Sequence, residues 1–337
     1  MKSNLRQERN EKRSSRKRRI MLLVILPLLL IIGGAVGYGS YIYNKARAVV
    51  NNSYKELDRG TKSNKREETV QPLKDNVSIL IMGVDESEQR KKEYGDAVRT
   101  DALLVATINK TDKSVKLLSI PRDTRVYIPS RQKKDKINHA HVFGGVDSTI
   151  ETVEGFLDIP IDYYVKFNFE SFIKIVDTLG GIDMDVPVTF TEQNSKDQAG
   201  AVHLKKGYQH LNGEQALALA RTRHIDSDQM RGQRQQLVLE AIANKALSAG
   251  TINKLGPLID AIGTNMKTNL TFDDIMAIGK NMAGSNLNME KVQIEGEDQY
   301  IDKIYYYVPK EESVNKLSEL LQQHLGVSGK EEHKTIK

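Results

Sequence analysis

Residues Ile20–Tyr43 carry no charged side chain over 24 positions, and nine basic residues crowd the 19 positions before them. A helix of that length spans the ~30 Å hydrocarbon core of a bilayer with some tilt. Pro27 interrupts the run, as membrane helices tolerate. Tyr38, Tyr41 and Tyr43 gather at its far end, where amphipathic rings suit the lipid–water boundary. A cleaved signal peptide is the rival reading, but its apolar core is shorter, roughly 7–15 residues, and ends in a small-x-small site. Here the exit reads Tyr-Asn-Lys-Ala-Arg-Ala. The pattern predicts an uncleaved single-pass anchor over residues 20–43. The positive-inside rule puts the basic tail, residues 1–19, in the cytoplasm and the rest outside, a type II cell-membrane topology.

The charge balance supports a local role for the tail. Residues 1–19 hold nine basic and two acidic side chains, while the other 318 hold 41 and 42, so the body is near neutral. Arginines abutting a membrane span have a topological explanation, no aromatic residues interleave with them and no DNA-binding motif follows, so nucleic acid is not expected as a partner. The absence of Cys excludes disulfides, thiolate metal sites and a cysteine nucleophile.

Residues 44–76 are polar and read as an extracellular spacer. The first buried strand is Val77–Val84, apolar on both faces. Leu103–Asn109 and Val115–Ile120 flank Thr111-Asp112-Lys113-Ser114, a hairpin signal, so the sheet is at least partly antiparallel. A helix is expected from near Asp147, where Ser148 and Glu151 have capping-box spacing. Then follow a strand at Tyr163–Phe167, a helix over Glu170–Leu179 stopped by Gly180-Gly181, and a strand at Ile182–Val188. Asn212 can cap a helix over Gly213–Ala220, and a longer helix runs from about Asp228 to Leu247. Thr271 and Asp274 open another helix. Val292–Ile294 is a late strand, Glu311–Leu325 a terminal helix, and residues 328–337 a disordered tail. Strands interleaved with helices predict an α/β or α+β domain of three layers over residues 77–327.

Charged residues stand beside apolar segments in three places: Gly83-Val84-Asp85 with Arg99-Thr100-Asp101; Ser119-Ile120-Pro121-Arg122-Asp123-Thr124-Arg125; and Ala220-Arg221-Thr222-Arg223, leading through Asp226 and Asp228 to Arg231, Arg234 and Gln235. Strand ends form the sheet rim, where open α/β folds bind ligands. Arg231, Arg234 and Gln235, spaced i, i+3, i+4, share one helical face. Arg221 and Arg223 share a face only if the helix before them ends near Ala220. Several arginines grip a polyanion through forked charge-assisted hydrogen bonds. Two aspartates can hold Mg²⁺, which shares its shell with phosphate oxygens. That is equipment for stabilising charge in phosphoryl transfer. Singly, such residues are more often salt-bridge partners or turn formers, and Asp123 reads as a turn residue. His139 and His141 lack a third zinc ligand, and Asn138 and His139 could line the site. No Walker loop, Gly-x-Ser-x-Gly elbow or His-Glu-x-x-His is present. The residues alone support a phosphate-binding site on an α/β domain.

With these motifs in hand, the chain resembles the LytR–CpsA–Psr family. The resemblance rests on the basic tail and anchor, Ile81-Met82-Gly83-Val84-Asp85, Arg99-Thr100-Asp101-Ala102-Leu103-Leu104 and Ser119-Ile120-Pro121-Arg122-Asp123-Thr124. It rests further on Lys136-Ile137-Asn138-His139-Ala140, Leu179-Gly180-Gly181-Ile182, Leu211-Asn212-Gly213-Glu214-Gln215-Ala216-Leu217, and Ala220-Arg221-Thr222-Arg223 through Arg234-Gln235-Gln236. It spans about residues 77–325. Gln229-Met230 departs from the aromatic-Gly pair of many members, with Gly232 following.

The resemblance implies an α/β/α fold with a mixed central sheet and a long apolar pocket for a polyprenyl chain. Its mouth would grip the pyrophosphate through Arg99, Arg122, Arg221, Arg223 and Gln235, with Arg125, Arg231 and Arg234 beside them. Asp85 and Asp101 would be the ligands of Mg²⁺, with Mn²⁺ as the alternative ion. The implied partners are a polyprenyl pyrophosphate-linked glycopolymer such as wall teichoic acid, the peptidoglycan that receives it at a muramic acid 6-hydroxyl, and the membrane. In the expected reaction Arg122, Arg221 and Arg223 stabilise charge, and Asp228 is a candidate base. A pyrophosphate hydrolase and a non-catalytic lipid-binding regulator are the alternatives.

Overall fold

The computed structural model describes residues 37–84, 98–222, 225, 228–246, 255–263, 266–282 and 288–327. The expected anchor therefore lies outside the described residues over 20–36, as do the basic tail and residues 328–337. Residues 37–53 form a helix (α1) on which Tyr38, Tyr41 and Tyr43 are exposed. Among the described residues no helix is long and apolar enough to cross a membrane. Residues 1–48 form one unit and residues 49–337 another.

The second unit is built on a six-stranded sheet in the order β11-β6-β1-β2-β3-β12. These are β1 (Val77–Val84), β2 (Thr100–Asn109), β3 (Ser114–Ser119), β6 (Tyr163–Asn168), β11 (Met266–Thr268) and β12 (Asn288–Gln293). β1 runs antiparallel to β2 and parallel to β6, β2 antiparallel to β3, and β3 parallel to β12. The sheet is mixed, and the expected β2–β3 hairpin is there. β1 is buried on both sides because helices cover both. On one face Leu80, Met82, Leu103, Val105 and Leu118 pack on Ile150, Val153 and Leu157 of α2 (His139–Leu157) and on Leu317, Leu321 and Leu325 of α8 (Glu311–Leu325). On the other, Leu104, Ala106 and Leu117 meet Leu239 of α5 (Asp228–Ala246) and Met282 of α7 (Phe272–Met282). A third cluster joins α3 (Phe169–Thr178), α4 (Gly213–Arg221), β7 (Ile182–Val186) and α5. This is the three-layer α/β/α arrangement.

Local signals explain the element ends near the site. Asn168 closes β6 and caps α3, accepting from Ser171 N at 2.9 Å. α3 stops at Gly180 and Gly181, with φ of 80° and 83°, a conformation that favours glycine. Asn212 caps α4 in a full capping box with Gln215. α2 begins earlier than expected, at His139, and is kinked where Gly144 and Gly145 leave helical geometry. Ser148 is not its cap: the side chain is buried against the Ser130 hydroxyl at 2.7 Å.

The spacer needs a correction: from residue 49 onward it is folded onto the domain. Leu57 joins the core. Arg59 meets the buried Glu154 at 2.6 Å, and Arg66 forks onto the buried Asp162 at 2.9 and 2.7 Å. Two buried carboxylates need cations, and this polar strap supplies them. Short elements unforeseen from sequence complete the fold: β4 (Arg125–Ile128) with β5 (Lys133–Lys136), β8 (Phe190–Glu192) with β9 (Val202–Leu204), β10 (Gly207–Leu211) on β7, α6 (Leu255–Gly263), and β13 (Gly296–Ile301) with β14 (Ile304–Pro309).

His324 pins α8 to the sheet. Its buried ring sits between Thr107 Oγ1 at 2.8 Å and Ser114 Oγ at 2.9 Å. Burial, with Lys116 nearby, lowers its pKa; Asp112 and Glu290 oppose this. Below an ordinary His pKa of about 6.5 the unfolded chain therefore takes up the proton first. The stability linked to the neutral ring is complete above about pH 6.5 and is lost as pH falls from there through the folded value. Urea unfolding between pH 5 and 8 should show this acid slope, and His324→Gln should flatten it. An unchanged slope in the variant would refute the assignment.

Candidate active site

β1 and β2 carry a bulge at the end nearest α3. Gly83 pairs with Ala102 and Val84 with Thr100, leaving Asp101 as the extra residue. Bulges re-aim side chains beside functional sites. Asp101 here meets Arg122, whose Nη1 donates to Asp101 Oδ1 at 2.5 Å. Arg122 lies in the tight turn after β3, where Thr124 N reaches Pro121 O at 3.0 Å. Behind it stands Asp123, a buried carboxylate rather than a solvent-facing turn residue. Its Oδ2 lies 3.4 Å from Arg122 Nε, and its Oδ1 accepts from Lys136 Nζ at 2.8 Å. The guanidinium is thus held by a hydrogen bond at Nη1 and faces a second carboxylate across Nε, an atom that makes no hydrogen bond among the described residues. Asp135 lies beyond: burial acts to raise its pKa, but hydrogen bonds from His139 and Lys136 N and the surrounding positive charge hold it below the usual carboxylate value.

Arg221 closes α4, a position that suits a cation against the helix dipole. It reaches Asn194 O at 3.4 Å and Asp197 Oδ1 at 3.5 Å, and its guanidinium lies 5.7 Å from the centre of the Phe169 ring. The helix ends one residue later than expected, and Thr222 is extended. From α5, Gln235 Nε2 bridges Ala220 O at 3.3 Å and Asp101 O at 3.5 Å, tying α4 to β2. Gln236 Nε2 donates to Leu117 O at 2.7 Å and Val292 O at 3.0 Å, fastening α5 to the sheet.

These groups surround one cavity of about 320 Å³. Its polar lining is Asp101, Arg122, Arg221, Arg231 and Gln235, with Glu192 and Gln193 from the end of β8. Its apolar lining is Ala102, Leu104, Phe167, Phe169, Phe172, Leu217, Ala220, Val238 and Leu239. Polar and apolar lining residues alternate along the same elements. Leu104 follows Asp101 by three residues, Leu217 precedes Arg221 by one helical turn, and Val238 and Leu239 follow Gln235 by one turn. Gly83 lets the wall close up, since a Cβ there would stand 3.1 Å from that of Ala102.

The structure thus brings together Asp101, Arg122, Arg221, Arg231 and Gln235. It leaves three of the expected residues outside the lining. Arg99 is exposed ahead of β2. Arg125 starts β4 and lies over the Tyr306 ring at 5.8 Å. Arg234 is 1% exposed, and its guanidinium donates to Leu219 O at 3.0 Å and Thr222 O at 2.7 Å. Asn138 and His139 also stay outside the lining, His139 being paired with Asp135 at 3.1 Å. Asp85, Arg223 and the side chain of Asp228 lie outside the described residues. Glu192, Gln193 and the three phenylalanines had not been foreseen. The joint between β6 and α3, Phe167-Asn168-Phe169, is the signal that could have shown the aromatic wall.

Arg234 therefore holds the carbonyl end of α4 and does so at full burial. Charge-assisted bonds of this kind contribute about 1.5–3 kcal/mol. Arg234→Ala should lose that much in denaturant unfolding, whereas Arg221→Ala, with longer and partly exposed contacts, should unfold nearly as the parent does. Equal stability of the two variants would contradict the assignment.

A cavity lined by several guanidinium groups and by apolar side chains fits a ligand with an anionic head and a greasy tail. The sequence profile of the LytR_cpsA_psr family matches residues 40–323, and the chain belongs to this family. TagT of Bacillus subtilis strain 168, a polyisoprenyl-teichoic acid–peptidoglycan teichoic acid transferase, is 38% identical over 95% of this chain and 98% of its own length. TagU of Halalkalibacterium halodurans, a transferase of the same description, is 38% identical over 87% of this chain and 94% of its own. A solved structure of TagT bound to LI-WTA superposes with a TM-score of 0.69 at 38% identity, covering 81% of this chain and all of that one. A structure of TagT with bound octaprenyl pyrophosphate lipid gives 0.64 at 35% identity over the same shares. The chain is an enzyme of this transferase kind.

Proposed function

We propose that this enzyme moves a phosphate-linked anionic glycopolymer, wall teichoic acid, from an undecaprenyl pyrophosphate carrier to the 6-hydroxyl of peptidoglycan N-acetylmuramic acid. It works outside the cell membrane, held there by the anchor at residues 20–43. The supporting observation is the single cavity that joins an apolar wall to Arg122, Arg221 and Arg231. The diphosphate sits among these guanidinium groups and the prenyl chain lies along Phe167, Phe172 and Leu217.

The hydroxyl oxygen attacks the phosphorus attached to the glycan and forms a phosphodiester. The bond from that phosphorus to the bridging oxygen breaks, and polyprenyl phosphate leaves with the electron pair. The hydroxyl proton passes to a carboxylate, for which Glu192 of the cavity lining and, from the sequence, Asp228 are the candidates. Arg122 and Arg221 neutralise the growing charge on the leaving phosphate.

Asp101 suits Mg²⁺: it is a hard oxygen donor at the mouth, its side chain 30% exposed, aimed by the bulge and already facing a cation in Arg122. With Asp85, which follows the last residue of β1, it would hold the ion, which adds positive charge against the phosphate oxygens.

The test mixes the full chain with a lipid-linked teichoic acid precursor and uncrosslinked peptidoglycan, with Mg²⁺ or with chelator. Polymer should become covalently attached to glycan in the presence of Mg²⁺. Attachment should fall by about 10²-fold or more in Asp101→Asn, the range for loss of one electrostatic stabiliser. Release of free polymer at the same rate with or without peptidoglycan would make the enzyme a hydrolase instead. Lipid binding without turnover would make it a regulator.

A further inference from the structure

Arg122 does not end the chemistry on its side of the mouth. Asn138 N donates to Arg122 O at 3.2 Å, and Tyr307 N donates to Asp123 O at 3.0 Å. These bonds attach two hairpins directly to the segment that carries the catalytic guanidinium. In the β4–β5 hairpin, Val126 and Ile128 turn into the core, while the pairs Arg125–Lys136 and Tyr127–Lys134 make up the opposite face. The β13–β14 hairpin joins it through the Thr124–Tyr307 bridge. Lys136 Nζ lies 5.5 Å from the Tyr305 ring centre and 5.8 Å from that of Tyr306. Tyr300 meets Tyr305 edge-on at 5.7 Å.

Two of these rings contribute little to the core: Tyr300 is 77% exposed and Tyr127 52%. Ile304, between them and the hairpin turn, is 48% exposed. Exposed aromatic side chains alternating with cations mark a recognition surface.

We infer that the outer face of these two hairpins docks the acceptor glycan strand, with tyrosines against the apolar faces of its pyranose rings and Arg125 and Lys134 against the carboxylates of its stem peptides, while Lys136 stays on Asp123. The identity of the acceptor rests on the function proposed above. The alternative occupant, the polyanionic chain of the donor, would use the cations. A strand built of pyranose rings offers each tyrosine a ring face, whereas a chain held through its phosphates would use the cations alone, so the glycan fits the surface better. The surface begins at Arg125, three residues from Arg122, so a strand lying on it would bring a hydroxyl to the phosphate held there. Arg125 finds its place here rather than in the cavity.

The test uses the full chain and its Tyr127→Ala/Tyr300→Ala variant, with uncrosslinked peptidoglycan strands as the probe. Binding of the strands and the KM for them should weaken about tenfold, the scale of two aromatic contacts. The kcat, the KM for the lipid-linked donor and the unfolding midpoint should stay as in the parent, and Tyr300→Phe alone should bind normally. Unchanged strand binding would overturn the inference, and so would a rise in the donor KM in place of the acceptor KM. The function reading fails separately: if the parent transfers nothing but binds strands in a tyrosine-dependent way, the docking surface stands and the transfer does not.

Discussion

Arg122→Ala should slow transfer from a lipid-linked donor about 10²–10³-fold, the loss seen when one preorganised donor to a developing anion is removed. Asp101 takes Nη1 at 2.5 Å, and Asp123, itself pinned by Lys136, stands 3.4 Å from Nε. A guanidinium placed in advance costs little reorganisation when charge appears on the leaving phosphate. The apolar wall is untouched by the change, so binding of the lipid should weaken much less than kcat. Arg99→Ala is the matched control: this arginine is exposed and outside the cavity lining, and its loss should cost little. Rates for Arg122→Ala within a factor of a few of the parent, in a folded variant, would remove Arg122 from the chemistry.

Gly213→Ala should destabilise the domain by about 3 kcal/mol or more, at the upper end for overpacking, because the obstruction is backbone. A Cβ at this position would lie 2.5 Å from Ile173 O and 2.7 Å from Ile173 Cα. The start of α4 therefore touches the backbone of α3, and Gly213 N completes the contact by donating to Asp177 Oδ1 at 2.7 Å. The two helices supply Phe169 and Phe172 on one side of the cavity and Leu217, Ala220 and Arg221 on the other. Forcing them apart should open the cavity as well as lower the denaturation midpoint. Wild-type stability would mean that the helices have slack which the geometry does not indicate.

These two sites differ in how far they could be read from residues alone. Asn212 and Gln215 announce the start of α4, and the unbroken apolar run of Val77–Val84 announces a strand covered on both sides; both elements stand where expected. The i, i+4 spacing of Arg231 and Gln235 likewise put them on one face, and both line the cavity. Arg234, three residues after Arg231, falls on that face too, yet its long side chain reaches the carbonyl end of a helix 12–15 residues earlier. Nothing local to α5 signals that partner. The same holds for the strap at residues 49–76. Its polar composition reads as solvent-facing because Glu154 and Asp162, the buried carboxylates it serves, lie 95 and 96 residues away from their arginines. β5 is Lys-Lys-Asp-Lys, which no alternation rule recognises as a strand. Its residues face solvent and the rings of the neighbouring hairpin, so burial did not shape their composition. The bulge that aims Asp101 is also a property of pairing, visible only once β1 and β2 lie side by side.

The most direct measurement is a crystal structure of this protein with a long-chain polyprenyl pyrophosphate bound. The account predicts the diphosphate between the guanidinium groups of Arg122 and Arg221, and the prenyl chain running inward past Phe172, Leu217 and Val238. A lipid seated elsewhere, or a head group out of hydrogen-bond reach of both guanidinium groups, would contradict it.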